Sequence, residues 1–298
     1  EFIDLGGISY FQLNPNLPSG SVEEIEVKVY DQDNYKYTET IQIITGQTVI
    51  LNSDDFETTS SWVVGGSEDD ATKGIWERVE PNPTYEYGEI VQPDSDHTEE
   101  GTYCFITENS SNQNNPGETD VDGGRTTLHS PIYDLSMHDK ALVSYWKWYT
   151  NNLGNNPGTD YWMVDVSNDA GNNWISLENT RTSNNYWVLQ QFLISDYLTL
   201  TNNMQFRFIA EDVVNDGDVG SGGSLIEAGI DDFLIEVFEE NQNNLIGDIN
   251  NDGLINVVDV VQLVNIILSN QEDNNADLND DDVVNVLDII ALVNLILE

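Results

Sequence analysis

From residue 49 to about 238 the chain alternates apolar and polar residues in short runs broken by Gly, Asn and Asp, and no segment of any length carries a helical period. Such a pattern predicts strands with one buried face, packed as an all-β sandwich. The clearest strands are expected at Ala141 to Tyr149, Tyr161 to Ser167, Trp187 to Ile194, Met204 to Ala210 and Gly229 to Phe238. Between them, Asn151 to Gly158, Asn168 to Asn173 and Asn215 to Gly223 read as loops, because Gly and Asn enter left-handed turns at little cost. Residues 1 to 48 also read as strands, at Ile8 to Leu13, Glu24 to Tyr30 and Tyr37 to Ile44, with turns at Asn14 to Gly20 and Asp31 to Asn34. Three or four strands form one sheet with an open apolar face, a partial immunoglobulin-like β domain. Its other half is cut away, packs in from the next domain, or arrives as a strand from a neighbouring molecule.

A short polar linker, residues 239 to 246, precedes a different pattern written twice in residues 247 to 298. The first copy places oxygen-bearing side chains at Asp248, Asn250, Asp252, Asn256 and Asp259, and the second at Asp277, Asn279, Asp281, Asn285 and Asp288. Between the third and fourth of each set, Leu254 and Val283 offer backbone carbonyls. Alternate residues of a tight loop can point inward together, which is how Ca2+ collects its hard oxygen ligands. Gly253 suits the sharp turn of the first loop; Asp282 takes that place in the second, where Asp tolerates the left-handed region better than most residues. After each loop a helix is expected, Asp259 to Leu268 and Asp288 to Leu297. The polar or small positions fall at Asp259, Gln262 and Asn265, then at Asp288, Ala291 and Asn294. A spacing of three leaves one narrow polar stripe and a wide apolar face that neither helix buries alone.

Two calcium loops, each feeding one helix and with no entering helix, resemble a type I dockerin, the calcium-dependent anchoring module of secreted bacterial enzymes and adhesins. The resemblance implies two Ca2+ sites and a protein partner, a cohesin in the family. Cohesin-reading dockerins carry hydroxyl and basic residues at places that here hold Val257, Val258, Val264, Asn265, Val286 and Leu287. The apolar helices are therefore expected to dock on the chain's own β sandwich, on another copy of the chain such as its incomplete N-terminal sheet, or on a cohesin-like domain.

The sandwich carries a second resemblance. Asp55-Phe56-Glu57 opening its first strand, Asp96-His97-Thr98 with Gly101, Leu128-His129-Ser130-Pro131, Ser144-Tyr145-Trp146, Trp187 and Ile230-Asp231-Asp232-Phe233 follow in order the landmarks of MAM-like jelly rolls. Similar domains lie C-terminal to the catalytic parts of secreted bacterial peptidases. In such jelly rolls the first and last strands are neighbours, which implies that Glu57 and Asp231 or Asp232 share a cation, with Asp54, Asp96, Asp120 and Asp122 as further candidate ligands. Converging carboxylates need a counter-charge, and this chain has few basic residues to supply one.

Fifty-four acidic and nine basic side chains give a formal charge of −45. So negative a field repels nucleic acid and anionic membrane, leaving neither as an expected partner, and no apolar run predicts membrane insertion. The single cysteine, Cys104, permits no internal disulfide and is expected to be a small buried apolar residue. Calcium loops that fill at micromolar to millimolar Ca2+ point to a secreted bacterial protein, extracellular or on the cell surface. The start at Glu1-Phe2 fits a processed piece of a longer chain. No His-Glu-x-x-His or Gly-x-Ser-x-Gly pattern accompanies His97, His129 and His138, so no enzyme is expected. The reading is a mainly β protein: a partial β domain at 1–48, a MAM-like jelly roll at 49–238 and a dockerin-like α-helical module at 247–298. Its expected work is calcium-dependent adhesion or assembly, extending to fibres. The alternative is a polysaccharide-binding region of a secreted peptidase or glycoside hydrolase, with Trp146, Trp148, Tyr149, Tyr161, Trp162, Tyr186 and Trp187 as stacking platforms.

Overall fold

The computed structural model describes residues 19–30, 36–58, 61–213, 223–238, 247–250, 254–269, 276–279, 281 and 283–297. The expected strand at Ile8 to Leu13, the turn at Asp31 to Asn34 and the linker at 239–246 lie outside the described residues. The chain divides into two compact units, Thr48–Phe238 and a second formed by Glu1–Gln47 with Glu239–Glu298.

In the second unit, β1 (Val22–Tyr30) and β2 (Lys36–Ile44) pair antiparallel from Val22 opposite Ile44 to Tyr30 opposite Lys36. Its two helices, α1 (Val257–Ser269) and α2 (Val286–Leu297), bury Leu263, Ile266 and Leu292 with Ile249 and Ala276 in a small core of their own. Both helices start two residues before the expected Asp259 and Asp288. The reason is capping: Asn256 Oδ1 accepts from Val258 N at 2.8 Å and Asn285 Oδ1 from Leu287 N at 2.8 Å, satisfying a first-turn amide each time.

The first unit is the mainly β sandwich. Its strands are β3 (Thr48–Asp54), β4 (Val63–Val64), β5 (Trp76–Val79), β6 (Tyr85–Glu86), β7 (Glu89–Ile90), β8 (Cys104–Thr107), β9 (Gly124–His129) and β10 (Ala141–Thr150). There follow β11 (Trp162–Ser167), β12 (Ile175–Thr180), β13 (Asn184–Leu193), β14 (Gln205–Asp212) and β15 (Glu227–Phe238). One sheet runs β13-β10-β15-β8-β5, with β3 also on β15; the other runs β12-β11-β14-β9-β4. The inward faces enclose one core, in which Trp62 meets Phe233 at 5.0 Å and Phe56 meets Phe105 at 5.1 Å between ring centroids, both edge to face.

Two sequence landmarks acquire a structural meaning. Asp55-Phe56-Glu57 does not open the first strand; it follows β3, where Phe56 turns with φ of 56° and plugs the core. Ile230-Asp231-Asp232-Phe233 is a β-bulge. Ser144 faces Leu234 but Trp146 faces Asp231, and Asp232 takes φ of 47°. The extra residue flips the parity of β15: Ile226, Ala228 and Ile230 point into the core before it, and Phe233, Ile235 and Val237 after it. Both aspartates are thereby turned away from the core at adjacent positions.

Lys147 is a buried cation. It is held by Glu178, whose carboxylate also accepts from Tyr145 Oη and Trp162 Nε1, each at 2.9 Å. Every member of this network has a partner, which is what makes a buried charge tolerable.

Candidate functional site

The repeated loops are built alike. Asp259 Oδ1 accepts from Ile249 N at 2.9 Å and Asn250 N at 3.2 Å, while Oδ2 accepts from Asn256 N at 2.8 Å. Asp288 does the same with Leu278 N at 2.9 Å, Asn279 N at 3.3 Å and Asn285 N at 2.7 Å. Each of these carboxylates is fully buried, so the last acid of each loop cross-links that loop to its helix from inside. In the second loop Asp281 N donates to both Asp277 Oδ1 at 3.2 Å and Asn279 Oδ1 at 3.1 Å. Those contacts draw the Asp277 and Asn279 side chains onto one amide, and Asn279 Nδ2 donates to Asp281 Oδ2 at 3.1 Å. Asn285 Nδ2 donates to the Val283 carbonyl at 2.9 Å and Asn256 Nδ2 to that of Leu254 at 3.4 Å. Asp248 is buried at the entry to the first loop; Asp252 lies outside the described residues. The donors are hard oxygens from carboxylate, amide and main chain, the chemistry that Ca2+ takes. Among the described residues no three His, Cys, Asp or Glu side chains form a closed ligand cluster, and these loops mix carboxylates with amide and carbonyl oxygens instead.

In the sandwich the Asp-His-Thr and Asp-Asp landmarks grip each other. Asp231 Oδ2 accepts from His97 N at 2.7 Å and Thr98 N at 3.2 Å; Asp232 pairs with His97 Nδ1 at 2.6 Å and accepts from Thr98 Oγ1 at 2.8 Å. Burial, with the Asp232 charge added, pushes the Asp231 carboxyl up to about 7 against the pull of those amides. Glu57 Oε1 accepts from Thr102 N and Tyr103 N, at 2.8 and 2.7 Å. The buried Asp96 Oδ2 has no hydrogen-bond partner, and burial and the Glu57 charge raise its carboxyl. A Cβ on Gly101 would sit 2.1 Å from Asp96 Oδ2 and 3.0 Å from Glu57 Oε1, so these two acids converge where only glycine fits. Of the predicted set, Glu57 and Asp96 are thus brought face to face, while Asp232 is engaged by His97 and Thr98. Asp54 accepts from Phe56 N and Trp62 Nε1, both at 3.0 Å, and fixes the turn after β3.

The stacking platforms proposed for sugars are mostly structural. Tyr145, Tyr149 and Trp162 are core residues, and Trp148 is buried with its Nε1 donating to the Val91 carbonyl at 2.8 Å. Trp146 is stacked under the His97 ring at 3.6 Å, and Arg181 covers Tyr161. Trp187 Nε1 donates to the Ser95 carbonyl at 3.1 Å; Tyr186 stays exposed. Cys104 is buried, as expected, and burial pushes its thiol up.

A groove of about 450 Å3 on the non-core face of the second sheet was not foreseen. Trp174, His129, Arg207, Asp69, Arg125 and Gln205 are among its walls, with Arg207 over the Trp174 ring at 4.4 Å and paired with Asp165 at 2.7 Å. Burial, then the Arg207 charge, hold the His129 imidazole below its ordinary value of about 6.5. The folded state therefore prefers the neutral ring, so this contribution is fully present above about pH 6.5 and is lost as pH falls below it. Urea midpoints taken from about pH 7.5 down to about pH 5 should drop less in His129→Gln than in the parent chain.

No protein-family model matches this chain, and no curated protein does. Among solved structures, the K1 cleaved adhesin domain of Lys-gingipain from Porphyromonas gingivalis W83 is similar at 15% identity, covering 65% of this chain and 100% of that one, with a TM-score of 0.39. TmCBM61 in complex with beta-1,4-galactotriose matches at 17% identity, 60% and 90% coverage and a TM-score of 0.33. The CBM22-1 xylan-binding domain from Paenibacillus barcinonensis Xyn10C matches at 11% identity, 65% and 98% coverage and a TM-score of 0.33. Among the described residues no helix is long and apolar enough to cross a membrane.

Proposed function

We propose that this chain is a non-catalytic, calcium-dependent anchoring and assembly region of a secreted bacterial protein. Ca2+ in the repeated loops orders α1 and α2, whose outer faces then bind a protein partner, first of all another copy of the chain. The observation that carries this reading is the state of those faces. Val257, Val258, Val261 and Leu268 on α1, with Val286, Leu287, Ile290 and Leu297 on α2, are exposed, and Leu268 and Leu297 reach 79% and 78%. Apolar surface so concentrated marks an interaction site. The identical capture of loop amides by Asp259 and Asp288 supports a common metal role for both copies. Further calcium at Glu57 and Asp96 would brace the sandwich, consistent with the unpartnered Asp96 oxygen.

Copies that each carry −45 repel one another, so association should need both calcium and enough salt to shorten the Debye length to about 10 Å. Val261→Gln with Ile290→Gln alters exposed positions only and should leave folding intact while weakening association about tenfold or more in sedimentation velocity. Association unchanged in that variant would remove the helices from the interface. If instead the wild-type chain stays monomeric yet binds a cohesin-like domain, the partner is a different protein.

A second reading, polysaccharide binding, is favoured by the groove beside Trp174, whose walls balance Arg125 and Arg207 against Glu68 and Asp69 around one aromatic. Retention on insoluble polysaccharide that survives deletion of residues 247 to 298 and is lost in Trp174→Ala would support it.

A further inference from the structure

At one end of the sandwich lies a second group of acids, apart from Glu57 and Asp96. Asp120 and Asp122 flank Val121, whose N–H donates to the Ile226 carbonyl at 2.9 Å and so ties their segment to the chain leading into β15. Asp212 closes β14 and Glu227 opens β15. All four are buried, Asp120 at 3% and Glu227 at 1% exposure. Lys73 pairs with Asp122 at 3.3 Å. Glu227 Oε2 accepts from Thr107 Oγ1 at 2.9 Å and Gln92 Nε2 at 3.3 Å, but Glu227 Oε1 and Asp120 Oδ1 are buried with no hydrogen-bond partner.

Two of these acids border a real space. Asp120 and Asp122 form one wall of a cavity of about 260 Å3, closed on other sides by Gly117, Gly154, Asn155 and Gly223. Gly154 and Ser224 form a bridge beside it, and the close fit there depends on glycine: a Cβ at Gly223 would lie 2.0 Å from Asp212 Oδ2. Burial first, then Asp122 and Asp212, push the Asp120 carboxyl up to about 8 despite Lys73. Buried carboxylates that repel one another call for a cation, and Asp120 Oδ1 and Glu227 Oε1 have no donor to offset their burial. The wall offers carboxylate, amide and main-chain oxygen and neither histidine nor cysteine, a hard donor set that suits calcium and not zinc or copper.

We propose that Asp120, Asp122, Asp212 and Glu227, which do not by themselves close a ligand cluster, bind a calcium ion beneath this cavity together with rim oxygens, at a site distinct from the repeated loops and from Glu57 and Asp96. The ion ties the end of β14 and the start of β15 to the segment before β9, with rim carbonyl and amide oxygens completing its shell. It is independent of the anchoring role of the helices.

The test uses the full chain and calcium alone. Equilibrium dialysis should find one calcium fewer per chain in Asp120→Asn/Glu227→Gln than in the parent. The same difference should persist in an Asp259→Ala/Asp288→Ala background, where the loop sites are disabled. With chelator, the isosteric variant should melt no lower than the parent by near-ultraviolet circular dichroism, because buried repulsion has been removed. With calcium, it should lose much of the parent's rise in melting temperature. Equal stoichiometry in parent and variant overturns the site, as does a variant that melts well below the parent in chelator. Should the double variant not fold, hydrogen exchange on the unaltered chain decides. Calcium should slow exchange at 120–124 and 223–228, and unchanged protection there overturns the proposal.

Discussion

Asp259→Ala and Asp288→Ala should each unfold the helical module, with loss of the helical band in far-ultraviolet circular dichroism and of calcium's effect on it, while the near-ultraviolet signal of the sandwich persists. The size follows from the hydrogen bonds. Each carboxylate is buried and accepts from three loop amides, so alanine strands three donors at once. At about 1–3 kcal/mol for each unsatisfied buried group, the loss is on the order of 3 kcal/mol or more. A core of Ile249, Leu263, Ile266, Ala276 and Leu292 is too small to absorb it. Asp259→Asn keeps the shape and one acceptor oxygen and should be milder. A module that stays helical in Asp259→Ala would show that the carboxylate is not its organising group.

The second large effect is expected at Lys147→Ala. It removes the buried cation that neutralises Glu178, leaving that carboxylate with only the Tyr145 hydroxyl and the Trp162 indole as donors. Breaking a buried pair from one side typically costs about 3–5 kcal/mol, whereas replacing both partners by apolar groups is often close to neutral. The chemical denaturation midpoint of the sandwich should therefore fall steeply in Lys147→Ala and recover in Lys147→Met/Glu178→Met. A double variant as unstable as the single one would mean that the network acts through shape and not charge.

Long alternating runs made most of the sandwich legible. The five clearest expected strands are all present, because each alternates over enough residues to define a face. Strands of two residues, Val63–Val64, Tyr85–Glu86 and Glu89–Ile90, carry no period and could not be read. The bulge at Asp231-Asp232 looked like a pair of converging acids, and its parity flip showed only when both halves of β15 had a core to face. Alternation also misled at Trp148, which points away from the main core yet is buried beneath Val91.

The loop residues could be named as candidates from the sequence because the repeat concentrates them in one short stretch, and the structure adds the amide contacts that Asp259 and Asp288 share. Asn256 and Asn285 stood at expected ligand positions; their side chains cap the helices, a role equally consistent with Asn at a helix start. Asp212 and Glu227 were missed because nothing local distinguishes an acid at a strand end from a solvated one. Their meaning comes from Asp120, about a hundred residues away in sequence and within electrostatic reach of both. The polar groove had a similar cause, being assembled from β9, β14 and the loop carrying Trp174.

Calcium in the repeated loops is proposed to turn the helices into a docking surface. Light scattering of the full chain, with Ca2+ and then with excess chelator at fixed salt, tests it most directly. Calcium-driven oligomers or filaments that chelator dissolves are the predicted result. A chain that remains monomeric in calcium, although its helices have folded, would contradict self-assembly through them.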